Sequence, residues 1–148
     1  MYTIGQVSER FDLPVSTLRY YDKEGLFPNL TRTSGARRFG EQELETLRVI
    51  ECLKRSGLEI REIRQFMEWC AQGSDTYPQR HALFVRQAER VEAEIERLET
   101  KIAEVESQMS DEKNAADYNA MQELSSAHET LSEALETAFE QWSALQES

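Results

Sequence analysis

The sequence predicts a mainly α protein: a head of short helices with a small β-hairpin wing, then a long coiled-coil dimerisation helix and an extra C-terminal helix. Two observations set that outline. All six glycines and all three prolines stand at or before Pro78, leaving 70 consecutive residues, Gln79 to Ser148, without a breaker of either kind. Such a stretch reads as long helices, and the punctuated half as several short elements. Within the breaker-free half, Phe84, Ala88, Val91, Ile95, Leu98, Ile102, Val105 and Met109 alternate at spacings of four and three, which is a heptad seam. The organisation that follows is a head over residues 1–75, a dimerisation helix over 76–109 and a helical extension over 110–148.

The head begins with Thr3 and Gln6 at capping-box spacing, so a first helix is expected from Ile4 to Glu9 or Arg10 with Ile4 and Val7 inward. Phe11, Asp12 and Leu13 form a short connection. Pro14 suits the first turn of a second helix, Val15 to Glu24, which Gly25 ends as a left-handed residue. Two short helices joined this way make a helix-turn-helix. In the second helix Val15, Leu18 and Tyr21 face inward, while Ser16, Arg19, Tyr20 and Lys23 share another face at i, i+3, i+4, i+7 spacing. Hydroxyls, cations and a phenol on one face suit phosphates and base edges in a DNA major groove, and they equally describe an ordinary solvated surface.

Thr31, Arg32 and Thr33, a Ser34-Gly35 turn, then Arg37, Arg38 and Phe39 read as a basic hairpin beside that helix. Its expected use is phosphate contact by Arg32, Arg37 and Arg38. Two further helices follow, Glu41 to Ser56 with Leu44, Leu47, Ile50 and Leu53 inward, and Glu59 to Gln72 with Ile60, Ile63, Phe66 and Met67 inward.

Charge is divided as unevenly as the breakers are. The chain carries 17 basic and 28 acidic side chains, a net charge of −11. Residues 1–70 hold 11 of each and are neutral; residues 71–148 hold 6 basic and 17 acidic and supply the whole excess. An acidic average therefore does not exclude nucleic acid, because residues 1–40 are locally basic, 6 against 4. No apolar run approaches the roughly 18 residues of a membrane span, and the first residues lack a secretory pattern, so a cytoplasmic protein is expected, with Cys52 and Cys70 reduced.

A helix with one apolar stripe must bury it, so a homodimeric coiled coil is expected along the seam. At about 1.5 Å per residue the seam is about 38 Å long, comparable with the roughly 34 Å of one DNA turn between half-sites. A break is expected at Ser110 and Asp111, after which Tyr118, Met121, Leu124, Leu131, Leu135, Ala138, Trp142 and Leu145 resume a stripe that includes His128. With Phe139 and Trp142, that stripe is suited to packing on the coiled coil or to lining a ligand pocket.

Tyr2-Thr-Ile-Gly-Gln-Val, Ser16-Thr-Leu-Arg-Tyr-Tyr-Asp-Lys-Glu-Gly-Leu, Arg32-Thr-Ser-Gly-Ala-Arg-Arg-Phe and the long seam helix together resemble the MerR family of bacterial transcription regulators over the first 109 residues. The resemblance implies a winged helix-turn-helix head, a homodimer through an antiparallel coiled coil, and binding to promoter double-stranded DNA whose spacer is distorted so that RNA polymerase can engage it. Carried over position by position, Arg19 and Tyr20 are the recognition-helix contacts, Ser16 and Thr17 stand at its groove-facing start, and Arg32 and Arg37 match wing arginines. Ala36 departs from the aromatic or histidine usual after the wing glycine, and Arg38 is an additional arginine.

The segments Glu51-Cys-Leu-Lys-Arg-Ser-Gly-Leu and Trp69-Cys-Ala-Gln-Gly-Ser-Asp-Thr, with Arg80, are similar to the AdhR/NmlR-like branch, which implies response to reactive electrophiles through Cys52 and a role in stress response. Arg48 at i−4 and Arg55 at i+3 share the helical face of Cys52, and nearby cations are the setting in which a cysteine reacts. Cys70, flanked by Phe66 and Met67, reads as core. The 39 residues from Ser110 exceed the tail of that branch, so a small organic ligand bound by the extension is the alternative effector, and a coiled-coil protein-interaction module the alternative to DNA binding. No catalytic, cofactor or metal residue is assigned: the chain lacks a Gly-rich phosphate loop, a Cys/His pairing and metal-loop cysteines.

Overall fold

Thr3 has two roles at the start of the chain. Its hydroxyl oxygen accepts the Gln6 amide at 3.1 Å, and the Gln6 side-chain oxygen accepts the Thr3 amide at 2.8 Å, which closes the expected capping box. With Tyr2 it also forms a two-residue strand. The computed structural model describes residues 1–147; Ser148, the last residue of the expected extension, lies outside them. In order come β1 (Tyr2–Thr3), α1 (Ile4–Phe11), α2 (Val15–Lys23), β2 (Thr31–Thr33), β3 (Ala36–Phe39), α3 (Glu41–Arg55) and α4 (Ile60–Gln72). A 3-10 turn (Ser74–Thr76), α5 (Tyr77–Met109), the one-turn α6 (Glu112–Ala115) and α7 (Tyr118–Glu147) complete the chain. These elements form two compact units, Met1–Arg80 and the residues from His81 onward.

In the first unit, α1 runs through Phe11 and is ended by Asp12 in the left-handed conformation, φ 52°. Aspartate tolerates that region better than most side chains. Ser8 holds the connection from both sides: its hydroxyl donates to the Leu13 carbonyl, and its carbonyl accepts the Leu13 amide at 3.1 Å. Pro14 caps α2 without a side-chain bond, where its missing N–H is no loss.

The wing differs from a two-stranded hairpin: it is a three-stranded antiparallel sheet in the order β1-β3-β2. Ser34 and Gly35 have φ 52° and 80°, the double positive φ of a type I′ turn, whose twist suits a tight hairpin. The turn sets Arg32 opposite Arg37 and Thr33 opposite Ala36, while β1 joins the other edge through Tyr2 opposite Phe39. Strand β1 leaves no pattern in the sequence because two residues are too few for an alternation.

The core of this unit gathers Val7, Leu18, Tyr21, Leu26, Phe27, Phe39, Leu44, Leu47, Ile50, Leu53 and Ile63. The Phe27 and Phe39 rings meet edge to face at 5.5 Å, which ties the loop after α2 to the sheet. On α3 all four expected positions are buried, whereas on α4 only Ile63 is; Ile60, Phe66 and Met67 are half-buried. Tyr21 anchors α2 to α3. Its ring is 1% exposed, its hydroxyl donates to Glu51 Oε1 at 2.9 Å and accepts from Lys54 Nζ at 2.6 Å.

In the second unit the chain breaks at Ser110 and Asp111 as the sequence predicts, and Asp111 caps α6 by accepting the Lys113 amide at 2.9 Å. Asp117 then caps α7, accepting the Asn119 and Ala120 amides at 3.0 and 3.2 Å. Glu106 of α5 and His128 of α7 meet at 3.0 Å, so α7 folds back along α5 as a helical hairpin. Val91 and Leu98 of the seam are buried, as are Ala138 and Ala144 of α7. Phe84, Ala88, Ile95, Ile102, Val105 and Met109 are half-buried. The stripe expected on α7 is narrower than its spacing suggested: Tyr118 is 78% exposed, and Phe139 and Trp142 are exposed too.

The Tyr21 network has a measurable signature. Removing its hydroxyl in Tyr21→Phe strips Glu51 and Lys54 of their shared partner and should lower stability to urea by about 1 to 3 kcal/mol. Burial, reinforced by the hydrogen bond to Glu51, holds the phenol pKa well above its ordinary 10.0. A group whose pKa is raised by folding contributes fully below its unfolded value and loses that contribution as pH climbs past it. Wild type should therefore lose stability above pH 10 more steeply than Tyr21→Phe; parallel pH curves would contradict the network.

Candidate nucleic-acid interface

Neighbouring tyrosines show how α2 is divided. Tyr21 points into the core at 1% exposure, and Tyr20, one position earlier, is 45% exposed. Leu18 is buried with Tyr21, and the opposite surface carries Ser16, Arg19, Tyr20 and Lys23, all exposed, with Thr17 half-buried at the start of the helix. The structure therefore brings the four residues of the predicted face together on one side of α2. That side is held in place from beneath by Leu18, Tyr21, Glu51 and Lys54.

The wing arginines are in a setting that helical spacing did not reveal. Arg32 Nη2 and Arg37 Nε both donate to Oδ2 of Asp22, each at 2.7 Å. Asp22 lies in α2, so one carboxylate joins the helix to both strands of the hairpin. Arg38, opposite Thr3 and Thr31 in the sheet, is half-buried. The three arginines thus differ in environment: Arg32 is exposed, while Arg37 and Arg38 are half-buried. Asp22 went unassigned in the sequence because its partners are ten and fifteen residues away in a different element. The one available signal was an acidic residue beside a basic face.

The cysteine environments also depart from expectation. Cys52 is half-buried, and none of the described residues hydrogen-bonds its thiol. Arg48, expected on the same face of α3, pairs with Glu45 and lies 5.9 Å from the Phe11 ring centre. Cys52 does sit between Glu51 and Lys54, the two residues that grip Tyr21. Cys70 is exposed rather than core, with Arg80 Nη1 at 3.9 Å from its sulfur. It also lines a cavity of about 480 Å³ between the loop after α2, α3 and α4, with Leu26, Phe27, Arg64 and Met67 among the walls. Helical spacing had placed Cys70 on the side of Phe66 and Met67, but those two are themselves half-buried at the margin of α4. Among the described residues no group of three or more His, Cys, Asp or Glu is placed to hold a metal, and no helix is long and apolar enough to cross a membrane.

A short helix carrying an exposed cationic face, a hairpin wing braced against it and a long helix beyond define a DNA-binding regulator of the winged helix-turn-helix class. Comparison with known proteins agrees. Residues 2–69 match the family described as MerR HTH family regulatory protein, and residues 44–108 the one described as MerR, DNA binding. Residues 85–147, the hairpin, match an ABC transporter C-terminal domain. An HTH-type transcriptional regulator of Haemophilus influenzae is 39% identical over 95 residues, 64% of this chain and 70% of the relative. The HTH-type transcriptional regulator AdhR of Bacillus subtilis is 30% identical over 60% of this chain and 64% of its own length. Among solved structures, HiNmlR, a MerR family regulator lacking the sensor domain and bound to promoter DNA, superposes with a TM-score of 0.60 at 33% identity, covering 82% of this chain and 97% of that one. The chain belongs to the MerR family: it is a DNA-binding transcriptional regulator, and its relatives are regulators rather than enzymes.

The division of α2 leads to a test. Arg19→Ala removes an exposed cation without touching the core, so the melting curve should be unchanged while specific operator affinity falls about tenfold to a hundredfold, as loss of a base-edge contact does. Unaltered footprints from Arg19→Ala would remove it from the interface.

Proposed function

We propose that the protein is a cytoplasmic homodimer that binds promoter DNA with α2 in the major groove and regulates transcription by distorting the promoter spacer so that RNA polymerase engages it. Ser16, Thr17, Arg19, Tyr20 and Lys23 face the groove; Arg32, Arg37 and Arg38 serve the flanking phosphates. The observation that carries this reading is the exposed polar face of α2, backed by buried Leu18 and Tyr21 and adjoined by an arginine-bearing wing. The promoter-bound state of the related HiNmlR supports it. In such a mechanism specificity arises from base contacts together with the energy of deforming the spacer.

Dimerisation is supported by the seam. The hairpin buries Val91 and Leu98 but leaves Phe84, Ile95, Ile102 and Val105 half-covered, an apolar surface suited to a second copy. Sedimentation at micromolar concentration should give a dimer, and a charged substitution such as Ile102→Glu should shift it toward monomer; a monomeric wild type would defeat the seam argument.

A second reading concerns the signal, and one observation favours it. Cys52 lies in α3 between the two residues that hold Tyr21, so a modified Cys52 sits where it can disturb the anchorage of α2. The chemistry is addition of the Cys52 thiol to an aldehyde carbonyl: a sulfur–carbon bond forms, the thiol proton passes to the carbonyl oxygen, and the product is a hemithioacetal. Run-off transcription with RNA polymerase, with and without methylglyoxal, should show a response in wild type and Cys70→Ser that is absent from Cys52→Ser. An undiminished response in Cys52→Ser would remove Cys52 as the sensor, and no response in any of the three proteins, with DNA binding retained, would move the effector to a small organic ligand of the 110–148 extension.

A further inference from the structure

We infer that Asp22 is a positioning residue for DNA binding: it orders Arg32 and Arg37 as one phosphate-facing pair and sets the spacing between wing and reading helix. This rests on the proposal that the wing contacts phosphates, and goes beyond it by giving the acidic residue of α2 a part in binding an anion. A carboxylate beside DNA opposes binding by simple charge, so its presence at the junction of α2 and the wing calls for a compensating role.

The geometry supplies that role. A single oxygen, Oδ2, accepts from Arg32 Nη2 and Arg37 Nε at 2.7 Å each. The Asp22 side chain is 12% exposed, so the accepting carboxylate is largely shielded from water while the Arg32 and Arg37 side chains remain 48% and 24% exposed. A guanidinium has five N–H donors, and each arginine uses one here. Arg37 donates through Nε and Arg32 through one terminal nitrogen, so each keeps further N–H donors beyond the one given to Oδ2. Both heads are thus oriented without being used up. Arg32 and Arg37 are also directly opposite in the sheet, so a carboxylate at one end of that pair fixes both strands relative to α2. Long arginine side chains lose rotamer freedom when they bind, and a partner that orders them beforehand removes much of that loss from the binding step.

The sign of the effect separates positioning from charge. Removing a negative group from a phosphate-facing surface should by charge alone raise affinity for any DNA and leave the salt dependence at least as steep. Positioning demands the reverse. The probe is a fluorescent duplex selected by the wild-type protein from a random pool, measured by anisotropy across a salt series beside a scrambled duplex of equal length. For Asp22→Asn we expect a tenfold or greater loss on the selected duplex, a smaller change on the scrambled one, and a log–log salt slope shallower by about one to two, the value of one or two phosphate contacts. Arg32→Ala and Arg37→Ala should each weaken wild type but cost little further in the Asp22→Asn background, whereas Asp22→Glu should recover part of the loss. Melting curves of every variant establish that the head is folded; if Asp22→Asn does not fold, Asp22→Glu and the two arginine variants carry the same slope comparison. Unchanged or increased affinity in Asp22→Asn, or losses that simply add in the double variants, would overturn the inference. Arginine variants that bind as wild type would instead remove the wing from the interface and the inference with it.

Discussion

The hydroxyl of Tyr21, in the last turn of α2, lies between a carboxylate and an ammonium of α3, and what α2 can present outward depends on that anchorage. A nine-residue helix has little stability of its own, because nucleation is costly and few hydrogen bonds repay it. Its shape is held by tertiary contact: Leu18 and Tyr21 in the core, Glu51 and Lys54 on the phenol, Pro14 and Gly25 at the ends. With the inner face so constrained, Ser16, Arg19, Tyr20 and Lys23 have one direction left in which to point. The pairing of adjacent tyrosines, one inside and one outside, is the local expression of that constraint.

The wing depends on the same helix. A three-stranded sheet in which β1 and β3 are two and four residues long is too small to be stable alone, and it is supported by the Phe27–Phe39 contact on one side and the Asp22 carboxylate on the other. Thr3 closes the circuit, capping α1 while pairing with β3. Helix α2 and the wing are therefore one mechanical piece, and the segment of α3 that contains Cys52 is part of its support.

Electrostatics divides the chain along its length. The neutral first half carries five of its eleven cations on α2 and the wing, whereas the second half carries the entire acidic excess and α7 contains no Lys or Arg at all. In the hairpin, acidic side chains take the solvent side and are partly met from within: Arg97 holds Glu94 at 2.5 and 2.8 Å, which keeps that carboxyl below its usual range.

Features governed by near neighbours were legible in the sequence. The capping box, the turn at Asp12 to Pro14, the end of α2 at Gly25, the I′ turn at Ser34-Gly35, the break at Ser110 and the exposed face of α2 each depend on residues within a few positions of one another, where spacing and backbone preference decide the outcome. Tertiary structure decided the rest. Spacing places a side chain on a face of its helix but does not choose its partner, so the pairing of Arg48 with Glu45 and Phe11 was not foreseen, and Cys70 came to rest exposed beside Arg80. Strand β1 was hidden by its brevity, and the α7 stripe was narrowed because a hairpin of two helices covers less of each than its apolar spacing allows. Asp22 shows the difference most clearly: in the sequence it is an acidic residue within a basic motif, and only the folding of two distant strands against α2 makes it the carboxylate that two arginines share.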